Sequence, residues 1–303
     1  MNQKAVNEPV RSYEPGSIDR KNLQNKYDKM ANEVIEIPLI IGGKEVRTKD
    51  QKQCVMPHDH QHVLGNFHMA GDNEVQLAID SSMSAWKTWS KVGLDKRTKI
   101  FRKAAELLQG PWRDTINAAT MLNQSKNAFQ AEIDAACELI DFFNFNCQYA
   151  EDIYGNQPLI SPEGVKNSLE YRPLEGFVFA ITPFNFTSIA ANLPCAPALM
   201  GNVALWKPAS SAVLPCYYIM KMLQEAGLPD GVINFIPGSG SKIGDPVLTN
   251  LNLAGVHFTG STQTFQHIWK TIGKNIDGYK TYPRIVGETG GKDFCLAHES
   301  VNV

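Results

Sequence analysis

Two hydrophobic periodicities divide the chain. Between Asp72 and about Tyr154 the apolar residues recur at helical spacing, as in Val75, Ile79, Met83, Trp86 and Trp89. The spacing predicts a first helix with Asp72 as its N-cap, a second from Asp95 to Gly110, and a third over residues 131–150. We interpret the apolar faces of these helices as core.

After residue 165 the period changes to that of buried strands. The short apolar runs are FVFAIT, NVALWKP, VINFIPG, AGVHFTG and PRIVGE, and helical segments separate them. Strands that alternate with helices indicate right-handed crossovers and a parallel sheet covered on both faces. The predicted fold class is therefore α/β, with a Rossmann-type sheet after an N-terminal helical segment, and SLEYRPLEGFVFAIT (168–182) is predicted to be strand-like.

The N-terminal region differs from the rest of the chain in its hydrophobic pattern. Residues 1 to about 35 are polar and rich in turn formers, which predicts a surface arm that packs on the body. The following stretch, IEIPLIIGGKEV (35–46), predicts two short strands joined at Gly42-Gly43, a hairpin signal.

Composition narrows the classes of function. The chain has 303 residues, 43% hydrophobic and 20% charged, as in an ordinary globular protein of about two domains. Its 29 basic and 31 acidic residues give a net charge of −2, so we expect no nucleic-acid partner. No apolar run approaches the length of a membrane helix, about 18 residues, so we expect no membrane span either.

Acidic residues and cysteines bear on the compartment. Glu8, Glu14 and Asp19 lie in the first twenty residues, which argues against a secretory signal and an acid-poor transit peptide. The six cysteines are widely spread without a CxxC motif, as expected of reduced thiols that are mostly small buried hydrophobes. We therefore expect a cytoplasmic protein, with the mitochondrial matrix as the alternative.

Polar side chains and glycines stand at the ends of the predicted strands. They are Thr182 to Asn185, Lys207-Pro208, the glycine turn 237–240, Gly260-Ser261 and Glu288. Because the carboxyl ends of parallel strands share one edge of the sheet, these residues predict one active-site rim.

Each member of this rim has a plainer alternative. FTGST (258–262) ends a strand and opens a helix whose free N–H groups can hold a phosphate or a sugar. GSGSKIG (238–244) is weaker, because it is one residue longer than the dinucleotide fingerprint and lacks the acidic residue about 20 positions on. Lys207 must find an anion or reach water, and Asn185 either satisfies a turn or donates to an oxyanion.

Three alternating histidines suggest a metal site only superficially. His58, His60 and His62 would share one face of an extended segment, but they have no thiolate or distant partner of fitting spacing. We interpret this segment as a solvated loop and predict no metal site.

With these residues in view, the sequence resembles the aldehyde dehydrogenases, and among them the L-glutamate gamma-semialdehyde (1-pyrroline-5-carboxylate) dehydrogenases. The motifs run from NEPV (7–10) through AEIDAACELIDFFNFN, LEGFVFAITPFNF, WKPAS and FTGSTQTFQHIWK to GETGGK (287–292). The resemblance covers nearly the whole chain. It implies NAD-dependent oxidation of the semialdehyde to L-glutamate in proline degradation, by a homo-oligomer that exchanges a hairpin including residues 160–176.

The same resemblance assigns a role to each rim residue. Asn185 would donate to the oxyanion that forms when a thiolate attacks the aldehyde, and Glu288 would be the general base that activates water. The cofactor-binding residues would be Thr182, Lys207, Ser210, Gly260, Ser261, Thr262, Gln263 and Thr264. Of these, Lys207 would lie at the adenosine ribose and the 260–264 segment on the nicotinamide side. Many members have Glu where this chain has Ser210.

The family's nucleophile has no counterpart here. Its catalytic cysteine lies a few tens of residues beyond the glutamate, and Cys295 follows Glu288 too closely to match it. We expect the cysteine beyond Val303, and this chain alone to be inactive.

The resemblance also implies the domain organisation. It predicts an arm and hairpin over 1–70, a cofactor-binding domain over 71–285, and the start of a largely missing catalytic domain over 286–303. The alternative is a non-catalytic nucleotide-binding fragment or an inactive paralogue. A reductase acting on glutamyl phosphate is disfavoured, because it needs no water-activating carboxylate.

Overall fold

A seven-stranded sheet forms the centre of the structure, a computed structural model that describes residues 4–291 and 294–301. Lys292, the last residue of GETGGK, lies outside the described residues, as do the two ends of the chain. The strands are β1 (Ile35–Ile37), β2 (Leu39–Ile41), β3 (Lys44–Val46), β4 (Gln51–Met56), β5 (Asp59–His68), β6 (Phe177–Ile181), β7 (Val203–Lys207), β8 (Ile233–Phe235), β9 (Leu253–Gly260) and β10 (Arg284–Thr289).

Helices precede the sheet and alternate with its strands. They are α1 (Ile18–Ala31), α2 (Asp72–Trp89), α3 (Leu94–Gln109), α4 (Arg113–Gln124), α5 (Ala128–Ala131), a π-helix (Glu132–Cys137), α6 (Glu138–Gly155), α7 (Thr187–Leu199), α8 (Val213–Glu225), α9 (Gly240–Leu248), α10 (Thr262–Lys274) and a short 3₁₀ turn (Ile276–Gly278). No helix in the described ranges is long and apolar enough to cross a membrane.

The sheet has the order β10-β9-β6-β7-β8-β2-β3, and β6 to β10 are parallel to one another. With right-handed crossovers, α7 and α8 cover one face while α9 and α10 cover the other, where α2 also packs. Strands buried on both faces need continuous apolar sequence, and the FVFAI and VALWK runs supply it. The predicted α/β class is confirmed.

The N-terminal hairpin forms where it was predicted. β2 and β3 join through Gly42 and Gly43, which have φ angles of +58° and +75°. However, residues 35–46 contain three strands and not two, because β1 pairs with β5 in a separate small sheet, β1-β5-β4.

Several helical predictions need correction. The N-cap of α2 is Gly71, whose N–H donates to Glu74 Oε2 (2.9 Å), and Asp72 is the first helical residue. A carboxylate in the first turn of a helix also interacts favourably with the helix dipole. An aspartate at the start of a helical pattern therefore looks much the same in the sequence whether it is the N-cap or, like Asp72, the first helical residue. Neither α4 nor α9 was predicted.

The strand prediction for residues 168–176 was wrong. The strand begins only at Phe177, and no helix or strand is described between residues 156 and 176. Residues 168–170 are exposed, and the described structure places no strand beside this stretch for it to pair with. The exchange of a hairpin from this region stays a prediction.

The histidine segment is not a loop. Residues 59–68 form β5, so His60 and His62 lie in a strand just after a turn. His62 Nε2 donates to the carbonyl of Ala31 (2.6 Å), and His58 Nδ1 hydrogen-bonds Ser125 Oγ (2.7 Å). Within the described residues no three His, Cys, Asp or Glu side chains gather in a group that could hold a metal ion.

The N-terminal arm contains a helix that was not predicted, α1. Only Leu23 and Met30 of α1 are buried, so it has almost no apolar stripe to detect.

As predicted, the arm packs on the body. Tyr13 O–H donates to Glu132 Oε2 (2.7 Å), and the N–H of Arg11 donates to Glu132 Oε1 (2.8 Å).

Glu132 of the π-helix is the centre of this attachment. It is fully buried and pairs with Arg113, which is 2% exposed and also pairs with Glu8 of the arm. Burial acts to raise the pKa of Glu132, but the guanidinium and the donated hydrogen bonds lower it on balance. Glu132 is therefore ionised at neutral pH.

We predict that Glu132→Gln destabilises the chain by about 3 kcal/mol, because it removes one anion from a buried guanidinium. Urea unfolding measures the effect. The matched control is Glu175→Gln in the exposed Arg172–Glu175 pair, which should cost less than about 1 kcal/mol. Equal effects of the two substitutions would contradict this account of the arm.

Candidate active site

The strand register aligns one residue from each of four neighbouring strands. These are Lys207, Ile181, Phe258 and Gly287, in the spatial order β7-β6-β9-β10. Neighbouring strands lie about 4.8 Å apart, so Lys207 and Gly287 are roughly 14 Å apart. The predicted residues Thr182, Asn185, Lys207, Ser210, Gly260–Thr264 and Glu288 stand at or just after this row, and the structure therefore places them on one edge of the sheet.

The strand order reverses between β6 and β9, since the chain runs outward from β6 first to β7 and β8 and then to β9 and β10. In doubly wound sheets the ligand crevice opens at the carboxyl ends of the two strands where the order reverses. The 182–186 turn after β6 and the 260–264 segment after β9 border that crevice.

Lys207 brings an ammonium to this edge. The preceding residues of β7 are buried, and burial lowers the pKa of Lys207 to about 8 from its usual 10.5. Its Nζ donates to the carbonyl of Pro208 (3.2 Å). In the described ranges Lys207 forms no ion pair with a carboxylate, so the ammonium has capacity for further acceptors.

The N-terminus of α9 lies beside this lysine. Gly240 is the first residue of α9, and a Cβ at Gly240 would be 3.9 Å from Lys207 Cε. Ser239, the N-cap, makes no capping hydrogen bond with its side chain. Gly240 belongs to the 237–240 turn of the predicted rim, but the family resemblance assigned it no role, and the GSGSKIG motif was only a weak signal for a phosphate contact.

Thr182 fastens the ends of β6 and β7 together. Its N–H donates to the carbonyl of Lys207 (3.2 Å), and its Oγ1 accepts from Trp206 Nε1 (3.1 Å). Thr182 is 4% exposed, so it supports the floor of the crevice.

The FTGST segment forms the start of α10. Ser261 is its N-cap and accepts from the N–H of Thr264 (3.2 Å), while Thr262 and Gln263 are exposed. The first N–H groups of a helix have no acceptor within it, so they can bind an anion. A Cβ at Gly260 would lie 2.8 Å from the ring of Phe258, which explains the glycine.

Asn185, Ser210 and Glu288 complete the predicted set. Asn185 lies partly buried in the turn between β6 and α7, and Ser210 lies partly buried in the turn after β7. Glu288 is exposed on β10 and stands opposite Thr259 of β9. The carboxylate therefore occupies the side of the crevice away from Lys207.

The five buried cysteines offer no activated thiol. Five are buried and Cys295 is exposed. Burial raises the pKa of Cys54, Cys137 and Cys147 to about 12, which keeps these thiols protonated and poorly nucleophilic. The interpretation of these five cysteines as small buried hydrophobes is confirmed.

A doubly wound, mainly parallel sheet, with helix N-termini at its carboxyl edge and a lysine on the strand next to the switch point, is the arrangement of nucleotide-binding α/β proteins. The chain belongs to the Aldehyde dehydrogenase family, whose sequence model its residues 45–303 match. It is 50% identical over 300 residues to a protein of Dictyostelium discoideum described as mitochondrial delta-1-pyrroline-5-carboxylate dehydrogenase, and 46% identical over 300 residues to the Homo sapiens protein of that name. The matches cover 98% and 99% of this chain but only 54% and 53% of those proteins, so the chain spans about half the length of these curated relatives.

Solved structures of dehydrogenases with such names are also similar to this chain. The chain superposes with a TM-score of 0.94 and 49% identity on a Mycobacterium tuberculosis delta-pyrroline-5-carboxylate dehydrogenase bound with NAD. A Thermus 1-pyrroline-5-carboxylate dehydrogenase with bound NAD gives a TM-score of 0.89 at 29% identity. These alignments cover 99% and 96% of this chain, and 56% and 57% of the other chains.

We predict that Lys207→Met stabilises the free chain by about 1 to 3 kcal/mol at pH 7, because it removes a desolvated charge. The folded-state pKa lies below the unfolded value, so folding releases a proton between about pH 8 and 10.5. Wild-type stability should rise through that window, and the advantage of the variant should disappear. Urea titrations from pH 7 to 10.5 measure this, with exposed Lys99→Met as the control. A difference that does not change with pH would contradict the burial of the ammonium.

Proposed function

We propose that the complete protein oxidises L-glutamate gamma-semialdehyde to L-glutamate with NAD, and that this chain supplies its NAD-binding part. The observation that carries the proposal is the placement of Lys207, the start of α10 and Glu288 around one switch-point crevice. The similarity to NAD-bound dehydrogenases of this substrate supports the same proposal.

The chemistry of the crevice fits a dinucleotide. The Lys207 ammonium can donate to ribose hydroxyls, and Ser210 stands close by in sequence to do the same. The free N–H groups at the start of α10 suit the negative charge of a pyrophosphate. Lys207 and Gly287 lie at the two ends of the row of aligned residues described above. One extended ligand can span this distance and so contact both the lysine and the neighbourhood of Glu288. NAD, when bound, would accept hydride from the substrate carbon.

Two side chains of this chain would act on the substrate. The Asn185 carboxamide would donate a hydrogen bond to the oxyanion formed when a thiolate attacks the aldehyde carbon. Glu288, exposed at the end of an edge strand, would take a proton from the water that hydrolyses the resulting thioester. The thiolate itself would come from a cysteine that is not among the six of this chain.

A non-catalytic nucleotide-binding chain is the second candidate, and the burial of five of its cysteines favours it for the 303 residues alone.

We propose a homo-oligomer for the complete protein. We also propose a cytoplasmic location, since reduced buried thiols suit a reducing compartment. The mitochondrial matrix is the alternative, and two of the named relatives are described as mitochondrial.

We predict that the chain binds NAD in calorimetric titration and that Lys207→Met weakens binding about 10- to 100-fold, the loss expected for charge-assisted hydrogen bonds. Lys99→Met is the matched control and should bind like wild type. Glu288→Gln should also bind NAD normally, because the proposed role of Glu288 is toward water. Failure of the folded wild-type chain to bind NAD at millimolar concentration would refute the proposed site, and equal weakening by Lys99→Met would refute the role of Lys207.

A further inference from the structure

The turn that carries Asn185 is held by side chains from elsewhere in the chain. α7 begins at Thr187, directly after Asn185 and Phe186. Its N-cap residue, Phe186, has no side-chain oxygen and so makes no capping hydrogen bond. The start of this helix therefore needs acceptors from other elements.

Asp134 of the π-helix supplies these acceptors. The N–H of Thr187 donates to Asp134 Oδ2 (3.4 Å), and Ser188 Oγ makes hydrogen bonds of 3.2 Å to Asp134 Oδ1 and 2.8 Å to Glu138 Oε2. Asp134 is 4% exposed, and both Thr187 and Ser188 are fully buried. The carboxylate thus acts as a helix cap that comes from a different helix.

Lys126 joins this cap to the turn itself. Its ammonium pairs with Asp134, and Nζ lies 4.4 Å from the centroid of the Phe186 ring. Lys126 follows Ser125, whose left-handed conformation (φ 53°) ends α4 and directs the chain toward the π-helix. One cation therefore contacts both the cap of α7 and the aromatic ring next to Asn185.

α4 provides a second attachment that does not involve charge. Thr187 Oγ1 hydrogen-bonds with Thr120 Oγ1 (2.9 Å) and accepts from Gln124 Nε2 (2.9 Å). The first turn of α7 should therefore stay folded when the ion pair is removed. Loss of the pair should then change the 184–186 turn more than the helix behind it.

We propose that Lys126 and Asp134 are positioning residues for Asn185. The catalytic meaning of this proposal rests on the proposed role of Asn185 as oxyanion donor, since a donor must be held within about 0.5 Å of its productive place. The positioning itself is a property of the free chain. It can therefore be tested without NAD, substrate or turnover.

The test follows the Asn185 side-chain amide by NMR in the full chain, labelled with ¹⁵N only at asparagine and assigned through Asn185→Gln. Lys126→Met and Asp134→Asn should shift or broaden the Asn185 signals, because each leaves the turn without its ionic clamp. Lys126→Arg should keep them near the wild-type position, since it retains both the ion pair and the contact with Phe186. Phe186→Leu, which keeps the pair and removes the ring, should also move them.

Two controls separate positioning from general loss of stability. Lys99→Met removes an exposed lysine of α3, and Leu248→Ala truncates a buried residue at the far end of α9. Leu248→Ala should lower the melting temperature and leave the Asn185 signals in place. The proposal is overturned if Lys126→Met and Asp134→Asn lower stability with no change at Asn185, or if Leu248→Ala moves Asn185 as much as they do. Should Asp134→Asn fail to fold, the comparison of Lys126→Met with Lys126→Arg decides by the same readout. Failure of NAD binding would leave this result unaffected.

Discussion

The proposed site depends on one buried charge, the ammonium of Lys207, which the fold of the sheet places where the ligand is proposed to bind. β7 must be apolar because it is buried on both faces, yet its last residue is a lysine whose pKa burial lowers to about 8. Strongly perturbed pKa values of this kind are concentrated at functional sites, where a ligand can interact with the buried charge. The same burial that destabilises the free chain prepares a strong donor for ribose hydroxyls.

The second constraint is topological. Because the strand order reverses between β6 and β9, the connections after these strands diverge to opposite faces and leave a crevice between them. Short polar segments border this crevice, and each begins or precedes a helix. Two buried carboxylates of the π-helix hold neighbouring segments in place. Glu132 accepts a hydrogen bond from the N-terminal arm, and Asp134 accepts one from the start of α7.

Much of this arrangement could be predicted from the sequence, because it depends on local rules. Apolar runs ending in TPFN, KP, FTGST and GET marked the carboxyl ends of β6, β7, β9 and β10, and parallel strands bring such ends together. The glycine pair at 42–43 predicted its hairpin because only glycine adopts those φ angles readily. The roles of these residues came from family resemblance, since spacing alone left Asn185 and the 238–244 motif open.

What could not be predicted depends on long-range contacts. α1 lacks an apolar stripe. The arm residues before it are held by Arg113 and Glu132, and each of these contacts joins residues more than a hundred positions apart in sequence. The π-helix has no local signature in AEIDAACELIDFF, and its acids find partners only in the folded chain. Residues 168–176 alternate in a strand-like way, but they face no partner strand in the described structure.

A crystal structure of this chain soaked with NAD tests whether the carboxyl edge of β6, β7, β9 and β10 is an NAD site. We expect density for the adenosine ribose within hydrogen-bond distance of Lys207 Nζ, with the nicotinamide directed toward residues 260–264 and Glu288. Dinucleotide density elsewhere on the chain, with this edge empty, would contradict it.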